Sequence, residues 1–346
     1  MKALLLSEYR HLQITEIPEP VPGPDEVLVR VEACGICGSD VHGYDGSSGR
    51  RIPPIIMGHE AAGTVAGVGP GVTNVGTGDR VTFDSTVYCG KCAQCLGGVV
   101  NLCDRRQVFG VSCSDYRRSG AFADFVVVPA RILYRLPQNL AFAEAAMLEA
   151  VAVALHAVSL VPIGKGSSGL VVGAGTIGLL VQQALRIAGC SRVFVADVDH
   201  TRLALSESLG ATAALYSGDR LLDEIMALTG GRGVDVAVEA VGIAETVRTA
   251  IDSVSKAGSV VLVGNISPDV TISLQKVVTR QLRLQGSCAS AGEYPRALEL
   301  VSSRQVQVKP LITAVAPLEE GPHWFERLYA REPNLMKVVL TPGSGS

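Results

Sequence analysis

The hydrophobic and polar positions of this chain change rhythm near its middle, and the change predicts two kinds of architecture. Over roughly the first 140 residues, short β-branched runs such as Glu26-Val27-Leu28-Val29-Arg30-Val31 and Gly63-Thr64-Val65-Ala66-Gly67-Val68-Gly69 alternate with Gly- and Pro-rich stretches. That texture predicts a β-rich domain with long loops. From about Leu160 the pattern becomes strand, glycine turn, helix: Gly169 to Val172, a helix from Thr176 to Ala188, then Arg192 to Ala196. Val234 to Val238 and Ser259 to Val263 continue it, each after a helical segment, and the alternation predicts a parallel α/β sheet. It stops after Leu284-Gln285-Gly286, and the remaining stretch is expected to pack back onto the first domain. The boundaries read as 1–150, 151–286 and 287–346, in a fold class of α/β plus β-rich.

Length and composition agree with two domains, since 346 residues with 47 % hydrophobic content exceed what one core usually supports. The net charge of −3 comes without a basic run, which argues against nucleic acid or an anionic membrane as partner. A soluble protein handling small molecules is expected. The most apolar window, Ala145 to Val161, is broken by Glu149 and His156, whereas a membrane span needs about 20 predominantly apolar residues. It reads as a buried helix. The opening Met1-Lys2-Ala3-Leu4-Leu5-Leu6 is too short for a signal segment and runs straight into a strand pattern, so export is not expected. Gly343-Ser344-Gly345-Ser346 reads as a flexible tail.

Candidate chemistry is concentrated in the cysteines. Cys89, Cys92, Cys95 and Cys103 are spaced C-x2-C-x2-C-x7-C, and such spacers let a tight loop aim successive sulfurs at one tetrahedral zinc. Paired disulfides would be strained by these spacers, and inert core thiols would not cluster this way. Four thiolates close the coordination sphere, so this site predicts a structural staple and leaves the chemistry to be found elsewhere. A thiolate cluster within an odd total of nine cysteines also favours a reducing compartment, the cytoplasm.

Gly173-Ala174-Gly175-Thr176-Ile177-Gly178 fits G-x-G-x-x-G between a buried strand and a helix, the context in which a helix N-terminus meets a pyrophosphate. Asp197 ends the next strand 19 residues after Gly178, placed to accept from a ribose 2′-hydroxyl and to repel a 2′-phosphate. NAD is expected rather than NADP. Arg202 is a candidate for the adenine face, or an ordinary exposed helix arginine. Cys37, in Cys37-Gly38-Ser39-Asp40, and the pair His59-Glu60 form a second metal candidate, because a catalytic zinc takes three protein ligands and leaves one position open. Spacing alone does not separate them from a buried thiol and a satisfied histidine.

Together these motifs resemble the zinc-dependent medium-chain dehydrogenases, in particular the polyol branch that includes sorbitol and galactitol-phosphate dehydrogenases. The markers stand in order over almost the whole length: Cys37 to His42, Gly58-His59-Glu60, the Cys89 to Cys103 lobe, Gly120 to Phe125, Gly173 to Gly178, and Lys337-Val338-Val339-Leu340. The resemblance implies a GroES-like first domain, a Rossmann second domain and an active site in the cleft between them. It implies that Cys37, His59 and Glu149 ligate a catalytic zinc, with Glu60 competing for the same coordination position, and that the reaction is NAD-dependent oxidation of a secondary alcohol. Ala150 departs from the proline that usually follows the polyol-branch glutamate, and the alternative for Glu149 is a helix N-terminal carboxylate satisfied by backbone amides. Ser39, His42 and Glu60 become the catalytic candidates, Ser39 to take the hydroxyl proton and His42 to relay it; for these two the alternative is a polar loop residue.

Two zinc ions per chain and a homodimer or homotetramer follow from the same resemblance. At Gly286 to Ser290 the Arg-Tyr pair of sorbitol-type members is missing, and the Gly-Ser start is closer to galactitol-phosphate dehydrogenases. Tyr44 and Phe109 are candidate pocket walls or ordinary core aromatics. Threonine and butanediol dehydrogenases share the ligand types and stay open as alternatives, as does a catalytically silent NAD-binding protein.

Overall fold

The computed structural model describes residues 1–112 and 117–343, so Ser344 to Ser346 of the tail lie outside it. The chain divides into one unit of Met1–Glu149 with Ala291–Ser346 and a second unit of Ala150–Ser290.

In the first unit the β-branched runs pair antiparallel. The long strand Glu26–Gly35 is central, hydrogen-bonded to Glu60–Val68 and Phe125–Pro129, and near its end to Lys337–Thr341. Lys337–Thr341 pairs parallel with Ile312–Pro317, so the last part of the chain completes the sheet begun by the first. The strand alternates buried and partly exposed positions weakly, because both faces are covered; Val27, Val29, Val31 and Cys34 sit in one core with Leu4, Phe83, Phe122, Phe325 and Leu340. Two consequences bear on the candidate site. Gly35 and Glu60 are register partners, which brings the end of one strand beside the start of the next. Ile36, following Gly35, donates its N–H to Val338, which draws the C-terminal strand to the same place.

Tyr44 and Phe109 are core aromatics. Tyr44 is buried with its hydroxyl donating to the Arg10 carbonyl at 2.8 Å, and Phe109 is fully buried against Phe83 at a 5.0 Å ring separation. The apolar window expected as one buried helix is two, Phe142–Ala146 and Leu148–Ser159. By length and composition the stretch Phe142–Ser159 would span a membrane, but its residues are mostly buried in the fold.

The second unit is a six-stranded parallel sheet in the order Ala213–Tyr216, Arg192–Asp197, Ser168–Val172, Val234–Glu239, Val254–Leu262, Arg283–Gly286. Strand order reverses on either side of Ser168–Val172, and a crevice at the carboxyl ends of such strands is where an open α/β sheet binds ligands. The strands are near-continuous apolar runs because helices cover both faces.

Candidate metal centres and cofactor turn

The cysteine lobe hangs on a turn after the strand Thr86–Val87. Sulfur separations are 4.0 Å for Cys89 and Cys95, 3.5 Å for Cys92 and Cys95, and 3.9 Å for Cys92 and Cys103. A disulfide is near 2.05 Å, whereas four sulfurs at about 2.3 Å from one zinc stand about 3.8 Å apart, so this donor set fits zinc. Backbone N–H groups of Cys89 and Arg105 point at the Cys103 sulfur, and that of Lys91 at Cys89, as expected where thiolate charge must be held. The Lys91 amide lowers the Cys89 thiol to about 6. Arg131 secures the entry to the lobe, its guanidinium over the Tyr88 ring and donating to the Tyr88 carbonyl.

The second set converges although its members are far apart in sequence. One ligand atom each from Cys37, His59 and Glu60 lies within 4.8 Å of the others. Cys37 precedes the short helix Gly38–Tyr44 with extended backbone, and its N–H donates to Asp40 Oδ2 at 3.2 Å. Asp40 Oδ1 stands 3.4 Å from His59 Nδ1, which leaves Nε2 as the nitrogen for a metal. Burial opposes the charge on Asp40, yet His59 and Arg51 together hold its carboxyl well below the usual carboxylate range. Burial likewise opposes a charged His59, and Asp40 and Cys37 outweigh it and raise its pKa. A divalent cation would replace that proton, since the arrangement already favours positive charge there.

Glu60 has a partner of its own. Lys337 Nζ donates to both its oxygens, at 2.9 and 2.7 Å, and to the Ile36 carbonyl at 3.0 Å, with both side chains buried. Glu149, in the first turn of Leu148–Ser159, accepts from Ser85 Oγ at 3.1 Å rather than from backbone amides, and lies outside the close set of Cys37, His59 and Glu60. Burial raises its pKa while His59 pulls it down, so it faces the same charge cluster. Ser39 is exposed and accepts from Arg51 Nη2 at 3.1 Å. His42 is half-buried one helical turn further on, and among the described residues no hydrogen bond joins its ring to Ser39.

Sequence patterns do not single out Arg51 or Lys337 for this site. Lys337 lies 277 residues from Glu60, and no local spacing rule spans that distance.

In the second unit Gly173 has φ +101°, and a Cβ there would stand 2.5 Å from Val241 Cγ2; a Cβ on Gly178 would stand 1.8 Å from the Gly173 carbonyl oxygen. The turn therefore requires both glycines, and it opens the helix Thr176–Ile187 after the N-cap Gly175, leaving the amides at Thr176, Ile177 and Gly178 for an anion. Asp197 is buried and accepts from the Ala174 N–H at 2.5 Å and the Asp199 N–H at 2.9 Å, tying the glycine turn to the second strand. Each carboxylate oxygen keeps a further lone pair for a ribose hydroxyl. Arg202 leans on Asp199, Nε to Oδ2 3.6 Å, rather than standing free.

Residues 23–138 match the alcohol dehydrogenase GroES-like domain and 176–303 the zinc-binding dehydrogenase domain. The sorbitol dehydrogenase of Bacillus subtilis is 32 % identical over 347 residues, covering 99 % of this chain and 97 % of that protein. Galactitol-1-phosphate dehydrogenase of Escherichia coli has a similar structure, with a TM-score of 0.91 at 27 % identity over 99 % of this chain and 100 % of that one. A zinc-binding dehydrogenase of Sinorhizobium meliloti, solved bound to NADP, gives 0.88 at 33 % identity over 99 % of each chain.

Proposed function

We propose that this chain, which belongs to the zinc-dependent medium-chain dehydrogenase family in its polyol branch, oxidises a secondary alcohol of a polyol, sugar alcohol or vicinal diol to a ketone and passes the hydride to NAD. The observation that carries this reading is the convergence of Cys37, His59 and Glu60 beside an exposed Ser39. Cys37 and His59 would hold the catalytic zinc, with Glu149 or Glu60 as the third protein ligand. Bound there, zinc supplies Lewis acidity that lowers the pKa of a coordinated hydroxyl toward neutrality. Ser39 would accept the hydroxyl proton as it gives up its own, and His42, one helical turn away, would take that proton toward solvent. Asp40 orients His59 and sets its tautomer. The Lys337 ammonium neutralises Glu60, so the set carries less negative charge than its residue types alone suggest. The Cys89, Cys92, Cys95 and Cys103 lobe takes the second zinc, closed to substrate.

The amides of Gly173 to Gly178 take the pyrophosphate, and Asp197 selects NAD. Its two amide bonds hold the carboxylate in place, so it cannot swing away from a 2′-phosphate and repels it. A homodimer or homotetramer is supported by the second unit. The segment 269–273 pairs with no strand among the described residues; Val270 and Ile272 within it are exposed, as are Ile266 before it and Leu274 and Val278 in the helix Leu274–Thr279 that follows. A thiolate lobe is consistent with the reducing cytoplasm.

The test is a panel of polyols, sugar alcohols, butanediol and threonine with NAD and with NADP, alongside a metal count. Turnover of a polyol with NAD and two zinc ions per chain is expected. Zinc and NAD bound with no secondary alcohol oxidised would refute the activity, and preference for NADP would refute the role of Asp197.

A further inference from the structure

Arg51 is a buried guanidinium that the proposed chemistry does not yet use. It is 3 % exposed and comes from the segment after the helix Gly38–Tyr44. Its Nη2 donates to Ser39 Oγ at 3.1 Å and to Asp40 Oδ1 at 3.0 Å. Room for its stem is made by Gly43, where a Cβ would stand 2.1 Å from Arg51 Cγ. Its Nε finds no partner among the described residues, a cost of burial that packing alone does not explain.

We propose that Arg51 is a positioning residue for alcohol oxidation, acting by fixing the hydroxyl of Ser39 in one donor and acceptor arrangement. A guanidinium only donates, so Ser39 Oγ must accept from it. The hydroxyl hydrogen of Ser39 then points away from Arg51, and one lone pair of Oγ is left to accept the hydrogen of a substrate hydroxyl. Without Arg51 the hydroxyl rotates freely and donates as readily as it accepts. The same nitrogen holds Asp40, whose other oxygen takes the Cys37 N–H and whose Oδ1 faces His59 Nδ1. One guanidinium therefore keeps the proton acceptor in register with the residues that carry the metal ligands. Nothing about Arg51 is exposed for contact with substrate, so its effect passes through Ser39.

This inference rests on the dehydrogenase reading, and its test separates the two. Arg51→Met keeps the stem and removes the donors, and it is made in the wild-type and Ser39→Ala backgrounds, with zinc content and NAD affinity measured throughout. Both zinc ions and NAD binding are expected to persist, kcat to fall about 10- to 100-fold as for the loss of a charged hydrogen bond, and KM to change less than about threefold. In the Ser39→Ala background the same substitution is expected to change kcat by less than about threefold, because no hydroxyl is left to position. An equal loss in both backgrounds overturns the proposal, as does loss of the catalytic-site metal from Arg51→Met. Should that variant not fold, Gly43→Ala, whose Cβ displaces the Arg51 stem, is carried through the same cycle, with the same outcomes deciding. If the wild type binds zinc and NAD yet oxidises no secondary alcohol, the activity fails on its own account. The crystal structure of the variant then decides: a rotated Ser39 with His59 unmoved supports the positioning role, and an unmoved Ser39 overturns it.

Discussion

Replacing Lys337 by Met isolates the buried ion pair at the candidate site, and its cost follows from the structure. Lys337 and Glu60 side chains are 3 % and 1 % exposed, and the ammonium bonds both carboxylate oxygens and the Ile36 carbonyl. Removing one partner of such a pair leaves a buried charge uncompensated, a loss of about 3–5 kcal/mol. Replacing Glu60 by Gln in the same chain removes that charge, so the double variant isolates how much of the loss comes from the uncompensated carboxylate. Urea unfolding followed by fluorescence of Trp324 reads this directly, because the chain's single tryptophan lies in the same unit as the pair. The expected loss for Lys337→Met is about 3–5 kcal/mol, and the double variant with Glu60→Gln is expected to recover most of it. A loss below about 1 kcal/mol, or one that the double variant does not relieve, would refute the reasoning.

Asp84 is buried, and that burial, with Glu149 and Glu293 adding to it, pushes its carboxyl up to about 7. Its folded pKa exceeds the unfolded one, so the stability it confers is full below about pH 4 and lost as pH rises through about 7, by up to roughly 4 kcal/mol; Asp84→Asn should flatten that part of the stability profile in urea titrations. Gly43→Ala places a Cβ against the buried stem of Arg51, and an overpacking cost of about 1–3 kcal/mol with a lowered kcat is expected from denaturation and initial-rate measurements. Cys95→Ser should lower the zinc content by one ion per chain and lower the melting temperature, with kcat per folded molecule retained at low temperature, because four thiolate ligands would leave no coordination position for substrate.

Local geometry made the cysteine lobe and the glycine turn legible in the sequence. Both are built from residues within about one loop of each other, and their spacing fixes what the backbone must do: sulfurs 3.5–4.0 Å apart in the lobe, and a turn at Gly173 and Gly178 that has no room for Cβ atoms. The change in hydrophobic period similarly carried the difference between an antiparallel β-rich unit and a parallel sheet, because the burial pattern of a strand depends on which of its faces are covered.

The second metal candidate was legible in its residue types but not in its spacing. Cys37, His59 and Glu60 meet because Gly35 and Glu60 are paired across two strands, a long-range register that no spacing rule encodes. Tertiary structure alone decided that Glu60 is neutralised by Lys337 from the last strand and that Glu149 leans on Ser85. It also decided that Asp197 accepts one bond from the glycine turn, at Ala174, and one from Asp199, and that Arg51 is buried on Ser39 and Asp40. The sequence determined which groups of atoms form motifs, because bonded neighbours constrain one another over a few residues. Which charges neutralise one another, and which hydroxyl a buried guanidinium holds, was settled by packing between segments apart in the chain, where a buried ion must find a partner wherever the fold supplies one.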